Sequence, residues 1–149
     1  MKTDTGLAHD VFRGGRHPLD PFFKPRSVAV IGATETPGSV GRTVLANLVA
    51  TSFGGVVHPV NPRRDTVLGL QAYPAVGDVP GPVDRVAMYV PPSVGITLLE
   101  AIKSKAPAAE LFLNPGSESD ALHDCLQPGH ASHCATENSS RIALRGPRR

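Results

Sequence analysis

Ser27-Val-Ala-Val-Ile31-Gly32-Ala33-Thr34-Glu35-Thr36-Pro37-Gly38-Ser39-Val40-Gly41 is the stretch that decides the architecture. The unbroken apolar run from Ser27 to Ile31 ends at a glycine, the pattern of a strand buried on both faces of a parallel sheet. A loop of small residues follows. From Ser39 to about Ala50 the apolar positions Val40, Val44, Leu45, Leu48 and Val49 recur at helical spacing. Ser39 suits the N-cap of that helix, because a serine oxygen can accept from the free N–H groups of the first turn. Gly54-Gly55 closes the unit, and Val56-Val-His-Pro-Val60 reads as a second strand. Strand, glycine loop, helix and strand make one βαβ unit.

Moving outward, the alternation continues less regularly. Asn61-Pro-Arg-Arg64 is a loop at the carboxyl end of the second strand, and Val67 to Pro82 is a turn-rich connection with one short helix near Val76 to Val79. Asp84 to Val90 reads as a third strand. After Pro91-Pro92 a helix spans about Ser93 to Lys105, proline being well tolerated in a first helical turn. Glu110 to Leu113 gives a fourth strand, Asn114 to Ser119 a loop, and a last helix begins near Ser119. The fold class is therefore α/β, an open, doubly wound parallel sheet flanked by helices. Residues 1–20 are polar and aperiodic and read as a flexible arm, and 21–125 form the domain. From Gln127 on little apolar sequence remains beyond Ile142, Leu144 and a few alanines, so the tail, 126–149, is expected to be disordered. A fifth strand is expected there, and no convincing one is found.

Composition narrows the function classes. The 149 residues leave room for one domain, and a hydrophobic share of 40 % with 19 % charged residues suits a soluble core. A net charge of +2 is too small and too dispersed to make nucleic acid the main partner. No apolar run approaches the roughly 20 residues of a membrane span, and Met1 to Asp20 lacks the apolar stretch of a secretory signal. Two cysteines near the end, Cys125 and Cys134, make no disulfide framework. The expected compartment is the cytoplasm.

In an open α/β sheet the ligand sits beyond the carboxyl ends of the strands. Four loops end there: Gly32 to Gly41, Asn61 to Arg64, Val90 to Pro92, and Asn114 to Glu118. In the first, glycines allow close backbone approach and the helix start offers N–H groups to an anion. The glycine spacing departs from the dinucleotide fingerprint, and by itself it equally suits an ordinary tight turn. The second loop discriminates between ligands. An NAD site carries an acidic residue about 20 positions past its glycines. Here Asn61 stands at that distance from Gly41, followed by Arg63 and Arg64. Guanidinium groups suit an extra phosphate, as on NADP or at the 3′ position of coenzyme A, although solvated arginines would read the same. Tyr89-Val-Pro-Pro92 can wall an adenine pocket, and Asn114-Pro-Gly116 can offer backbone groups to a pantetheine chain. Tyr73 and Pro74 read as core packing.

Pro25-Arg-Ser-Val-Ala-Val-Ile-Gly-Ala33, Pro37-Gly-Ser-Val-Gly-Arg42, Val60-Asn-Pro62 and Ala72-Tyr-Pro74 carry a resemblance. Together with His17-Pro-Leu-Asp20 they resemble the Rossmann-like CoA-binding domain of the ADP-forming acyl-CoA synthetases, which also opens the alpha subunit of succinyl-CoA synthetase. The likeness covers about residues 17–92. From Tyr89 to Asp120 the chain is more similar to short, free-standing CoA-binding proteins. The resemblance implies coenzyme A as cofactor, held by the Pro37 to Arg42 loop, with Arg63 or Arg64 facing a phosphate and Tyr89 to Pro91 lining the adenosine pocket. The candidate binding set is Gly32, Ala33, Thr34, Pro37, Gly38, Ser39, Val40, Gly41, Arg42, Asn61, Arg63, Arg64, Tyr89, Val90 and Pro91. The phosphohistidine domain and ATP-grasp unit of the large synthetases do not fit in this length. The implied role is thus CoA or acyl-CoA binding without activity of its own, as a subunit beside an ATP-grasp partner, a remnant of such a system, or a self-associating module.

Rival readings remain. An NADP-binding protein with a redox or redox-sensing role would use the same arginines. His123, Cys125, His130, His133 and Cys134 are zinc-compatible in type, yet their spacing matches no paired ligand motif. No Gly-x-Ser-x-Gly elbow is present and neither cysteine sits beside an activating loop, so no catalytic residue is assigned. Glu35 is expected to be solvated, because a carboxylate facing a pyrophosphate would repel it.

Overall fold

A computed structural model describes residues 24–51 and 53–127. The expected arm at 1–20, most of the expected tail, the search for a fifth strand, and His17, His130, His133 and Cys134 lie outside the described residues.

Four parallel strands form the sheet: β1 (Ser27–Ile31), β2 (Val56–Val60), β5 (Arg85–Met88) and β6 (Glu110–Leu113), in the order β2-β1-β5-β6. The register pairs Ser27 with Val56 and Ile31 with Val60 on one side of β1, and Val28 with Arg85 and Ile31 with Met88 on the other. The chain leaves β1 in one direction to reach β2 and returns to the opposite side for β5. The strand order therefore reverses beside β1, the position where open α/β sheets hold ligands.

Every residue of β1 is buried, as its apolar run requires. Its side chains alternate between two layers. Val28 and Val30 join Leu45 of helix α1 (Val40–Ala50), while Ala29 and Ile31 join Val86, Met88 and Ile102 of helix α2 (Pro92–Lys105). Helix α3 (Asp120–Leu126) packs beside α2 through Leu99, Leu122 and Cys125. It runs one residue past the expected start of the tail. Gly95 brings α2 close to the sheet, where a Cβ would stand 2.7 Å from the Met88 sulfur.

The short helix expected near Val76 to Val79 is a 3-10 turn at Val76–Asp78, and the third strand is shorter than its apolar stretch. Tyr89 and Val90 leave the sheet to enter the loop before α2. A two-stranded hairpin of β3 (Thr66–Val67) and β4 (Leu70–Gln71) stands where the sequence suggested only turns. Its turn carries Leu68 at φ +50° and Gly69 at φ +78°. Both central residues of a two-residue type I′ turn need positive φ, and leucine at the first disguises the signal. Beyond it, Tyr73 runs parallel to β2: its N–H donates to the Pro59 carbonyl at 2.9 Å, and its carbonyl accepts from the Asn61 N–H at 2.9 Å. Proline in β2 fits this position, because such a strand lies at the sheet's edge. No helix among the described residues is long and apolar enough to cross a membrane.

Candidate functional site

The site begins where β1 stops. Gly32 has φ +85°, and its N–H donates to the Val60 carbonyl at 3.2 Å. A Cβ there would stand 2.6 Å from the Tyr89 carbonyl oxygen, and one on Gly41 would stand 2.5 Å from the Gly32 oxygen. These two glycines let the start of α1 press against the strand ends, where no larger residue fits.

Between them the loop is braced by its own hydroxyls. Thr34 Oγ1 accepts from the Thr36 N–H at 3.2 Å and lies 3.0 Å from Thr36 Oγ1. Thr36-Pro37-Gly38-Ser39 is a turn closed by the Ser39 N–H on the Thr36 carbonyl, with Gly38 at φ +78°. Proline second and a positive-φ glycine third are the signature of a type II turn. Ser39 then caps α1: its Oγ accepts from the Arg42 N–H at 3.3 Å and donates to the Thr36 carbonyl at 2.8 Å. The Val40 and Gly41 N–H groups keep no partner among the described residues and lie at the positive end of the helix dipole.

An open cleft of about 360 Å³ lies above these groups. Gly32, Thr34, Ser39, Val40 and Gly41 form one wall, Tyr89, Val90 and Pro91 another, and Asn114, Pro115, Gly116 and Ser117 a third. The third wall repeats the first turn's sequence and geometry. Ser117 donates to the Asn114 carbonyl at 2.8 Å, Gly116 has φ +95°, and Ser117 is 4 % exposed. Asn114 to Gly116, expected to face a pantetheine chain, line the cleft although they are not in the candidate binding set. Ser117, within the same expected Asn114 to Glu118 loop but given no role there, joins them, and the shared Pro-Gly-Ser triplet is its signal in the sequence. Burial of Tyr89 raises its phenol pKa above the usual tyrosine value, so it stays a neutral wall and hydrogen-bonding group.

Among the described residues no charged side chain lines the cleft. Of the sequence-derived set, Ala33 is fully buried, and Pro37, Gly38, Arg42, Asn61, Arg63 and Arg64 also lie outside the lining. Arg42, in the first turn of α1, has a buried Nε without a hydrogen-bond partner. Asn61 ties two loops together: its Nδ2 donates to the Ala33 carbonyl at 2.7 Å, and its Oδ1 accepts from the Arg63 N–H at 2.8 Å. Glu35 keeps the expected contact with solvent, its side chain being 41 % exposed, and adds two partners: Oε2 accepts from Arg64 Nη1 at 3.0 Å and Oε1 from the Leu68 N–H at 3.0 Å. His123 is exposed and Cys125 is buried and not a free thiol. Among the described residues no three His, Cys, Asp or Glu side chains are placed to hold a metal. Tyr73 packs against the core, edge-on to His58 with ring centroids 5.7 Å apart.

Fold and cleft together define a Rossmann-like architecture, a parallel sheet with glycine turns and a helix start at its switch point. The chain belongs to the CoA binding domain family, which matches residues 26–141. It is 42 % identical over 98 residues to the ADP-forming acetate–CoA ligase II of Archaeoglobus fulgidus, covering 66 % of this chain and 15 % of that one. To the alpha subunit of the ADP-forming acetate–CoA ligase II of Pyrococcus furiosus it is 46 % identical over 83 residues, or 55 % of this chain and 18 % of the subunit. The fold is also similar to a dinucleotide-forming acetyl-coenzyme A synthetase 1 of Ca. Korarchaeum cryptofilum, solved with phosphate and ADP. That likeness has a TM-score of 0.62 at 27 % identity, over 87 % of this chain and 27 % of the synthetase. The chain thus spans less than a fifth of the two curated relatives. It is a CoA-binding domain related to ADP-forming acyl-CoA synthetase subunits.

Proposed function

We propose that this chain binds CoA or an acyl-CoA in the cleft above β1 and β5, with the diphosphate at the start of α1 and the adenosine against Tyr89 to Pro91. The observation that supports this best is the cleft itself. Its glycine wall admits a phosphate to backbone range, and the unpartnered Val40 and Gly41 N–H groups supply the donors. The pantetheine arm runs toward the Pro-Gly-Ser turn of Asn114 to Ser117. An open cleft of this size holds part of a CoA molecule and leaves the remainder at its rim.

The residues present hold and orient the ligand, and catalysis is assigned to none of them. From its likeness to ADP-forming acetate–CoA ligases, we assign the domain the role of a CoA-binding module that works with an ATP-grasp unit. Calorimetric titration with CoA, NADP and NAD in parallel tests the reading. Micromolar binding of CoA alone is the expected result. Binding of NADP in its place would move the protein to the redox class.

A further inference from the structure

We propose that β6 is a docking edge for a second copy of this chain, the two sheets joining there antiparallel across a two-fold axis at Phe112. The pairing does not depend on what the cleft binds. β6 ends the strand order on the side away from β2. The Glu110 and Asn114 N–H groups donate to the Asp84 and Met88 carbonyls at 3.0 and 3.4 Å, so alternate residues turn their backbone toward β5. Leu111 and Leu113 present theirs outward, where they have no partner among the described residues.

The side chains of this edge are equally open. Val30, Ala87 and Phe112 form one row across the sheet, on the face that Val30 shares with Leu45 of α1. Val30 and Ala87 are 0 % and 5 % exposed, whereas Phe112 at the end of the row is 50 % exposed. Edge strands are ordinarily guarded by lysine, proline or a bulge. From Ala109 to Asn114 there is no lysine or proline, the pairing with β5 runs in unbroken register, and the sole charge, Glu110, is held by Arg85 at 3.3 Å.

The chain's own pattern names the occupant. Tyr73 already occupies the β2 edge, so copies cannot add β6 to β2 in an open array. β6 against β6 is the closed alternative, and a two-fold contact must be self-complementary. With the axis at Phe112, Leu111 of each copy exchanges hydrogen bonds with Leu113 of the other, and the two Phe112 rings meet in the closely spaced pair between them. Glu110 falls opposite the neutral Asn114 of the second copy, so no like charges are opposed. An axis at Leu113 would instead set Pro115, which has no N–H, against Leu111, and one at Leu111 would set Glu110 against Phe112. The two clefts then lie at opposite ends of the joined sheet. So short a contact should dissociate in the micromolar range.

The test is analytical ultracentrifugation of the whole chain from low to high micromolar concentration, with amide hydrogen exchange alongside. The mass should rise from 15.6 kDa toward twice that value, and the Leu111 and Leu113 amides should gain protection as it does. Two variants, each first shown to be folded by thermal unfolding, locate the contact. Phe112→Lys sets like charges face to face at the axis and should weaken the association about tenfold. Val49→Lys, at an exposed valine on α1, should leave it unchanged. A wild type that stays at 15.6 kDa throughout would overturn the proposal. Protected Leu111 and Leu113 amides would then mean that the chain covers this edge itself, and unprotected ones that it stays bare. Association without protection of those amides, or association undiminished in Phe112→Lys, would overturn it equally.

Discussion

Gly32 and Gly38 both sit at positive φ, yet different constraints put them there. Gly38 is the third residue of a turn, and a Cβ on it would meet nothing within 4 Å. Gly32 faces the Tyr89 carbonyl, where a Cβ would stand at 2.6 Å from backbone, which cannot swing aside as the end of a flexible side chain can. Replacing Gly38 with Ala should therefore cost about 1–2 kcal/mol, the expense of a left-handed alanine alone. Gly32→Ala carries that expense plus the clash, so its urea midpoint should fall well below that of Gly38→Ala. Equal midpoints would show that the strand ends can part and that the close approach is not needed. The two glycines looked alike in the sequence, because spacing shows that a backbone must turn but not what lies opposite it.

At the scale of elements, β2 carries a titratable group. His58 lies in the middle of the strand, 7 % exposed, edge-on to Tyr73. Burial, with a smaller contribution from Lys105, lowers its pKa below the ordinary 6.5. The folded protein thus prefers the neutral imidazole, and the unfolded chain takes up the proton first. The contribution of His58 to stability is complete above pH 6.5 and fades as the pH falls toward the lowered folded value. Stability measured by denaturant across pH 5 to 8 should drop on the acid side, and His58→Phe should flatten that drop. An unaltered slope in the variant would assign the loss to other groups. The same strand shows how far elements were legible. Val56 to Val60 and Glu110 to Leu113 were bounded correctly, because each apolar run is closed by turn residues. The β3–β4 hairpin was not, because Leu68 takes a conformation normally given to asparagine or glycine. Nor could periodicity reveal the Glu35 clamp, which joins three loops through contacts about 30 residues apart.

For the whole molecule, the sheet holds two apolar layers of unequal support. Among the described residues the α2 side is covered by two helices, while α1 supplies the helical cover of the other, chiefly through the fully buried Leu45. Leu45→Ala should cost about 2–5 kcal/mol in equilibrium unfolding, the range for truncating a buried leucine. A loss under about 1 kcal/mol would mean that α1 is seated by its glycine contacts instead of its apolar face. The alternation of strands and helices made both layers legible from β1 alone, but the share each helix would carry depends on packing that no window of sequence contains.

One feature at the margin bears on how such molecules meet. Tyr73 already occupies the hydrogen-bonding positions of β2 at Pro59 and Asn61. A second chain seeking to lay a strand there would first have to peel that residue away, together with the hairpin that leads into it. The flank is in effect selvedged, finished against fraying, so stacking of copies into a continuous ribbon through β2 is blocked by the protein's own backbone.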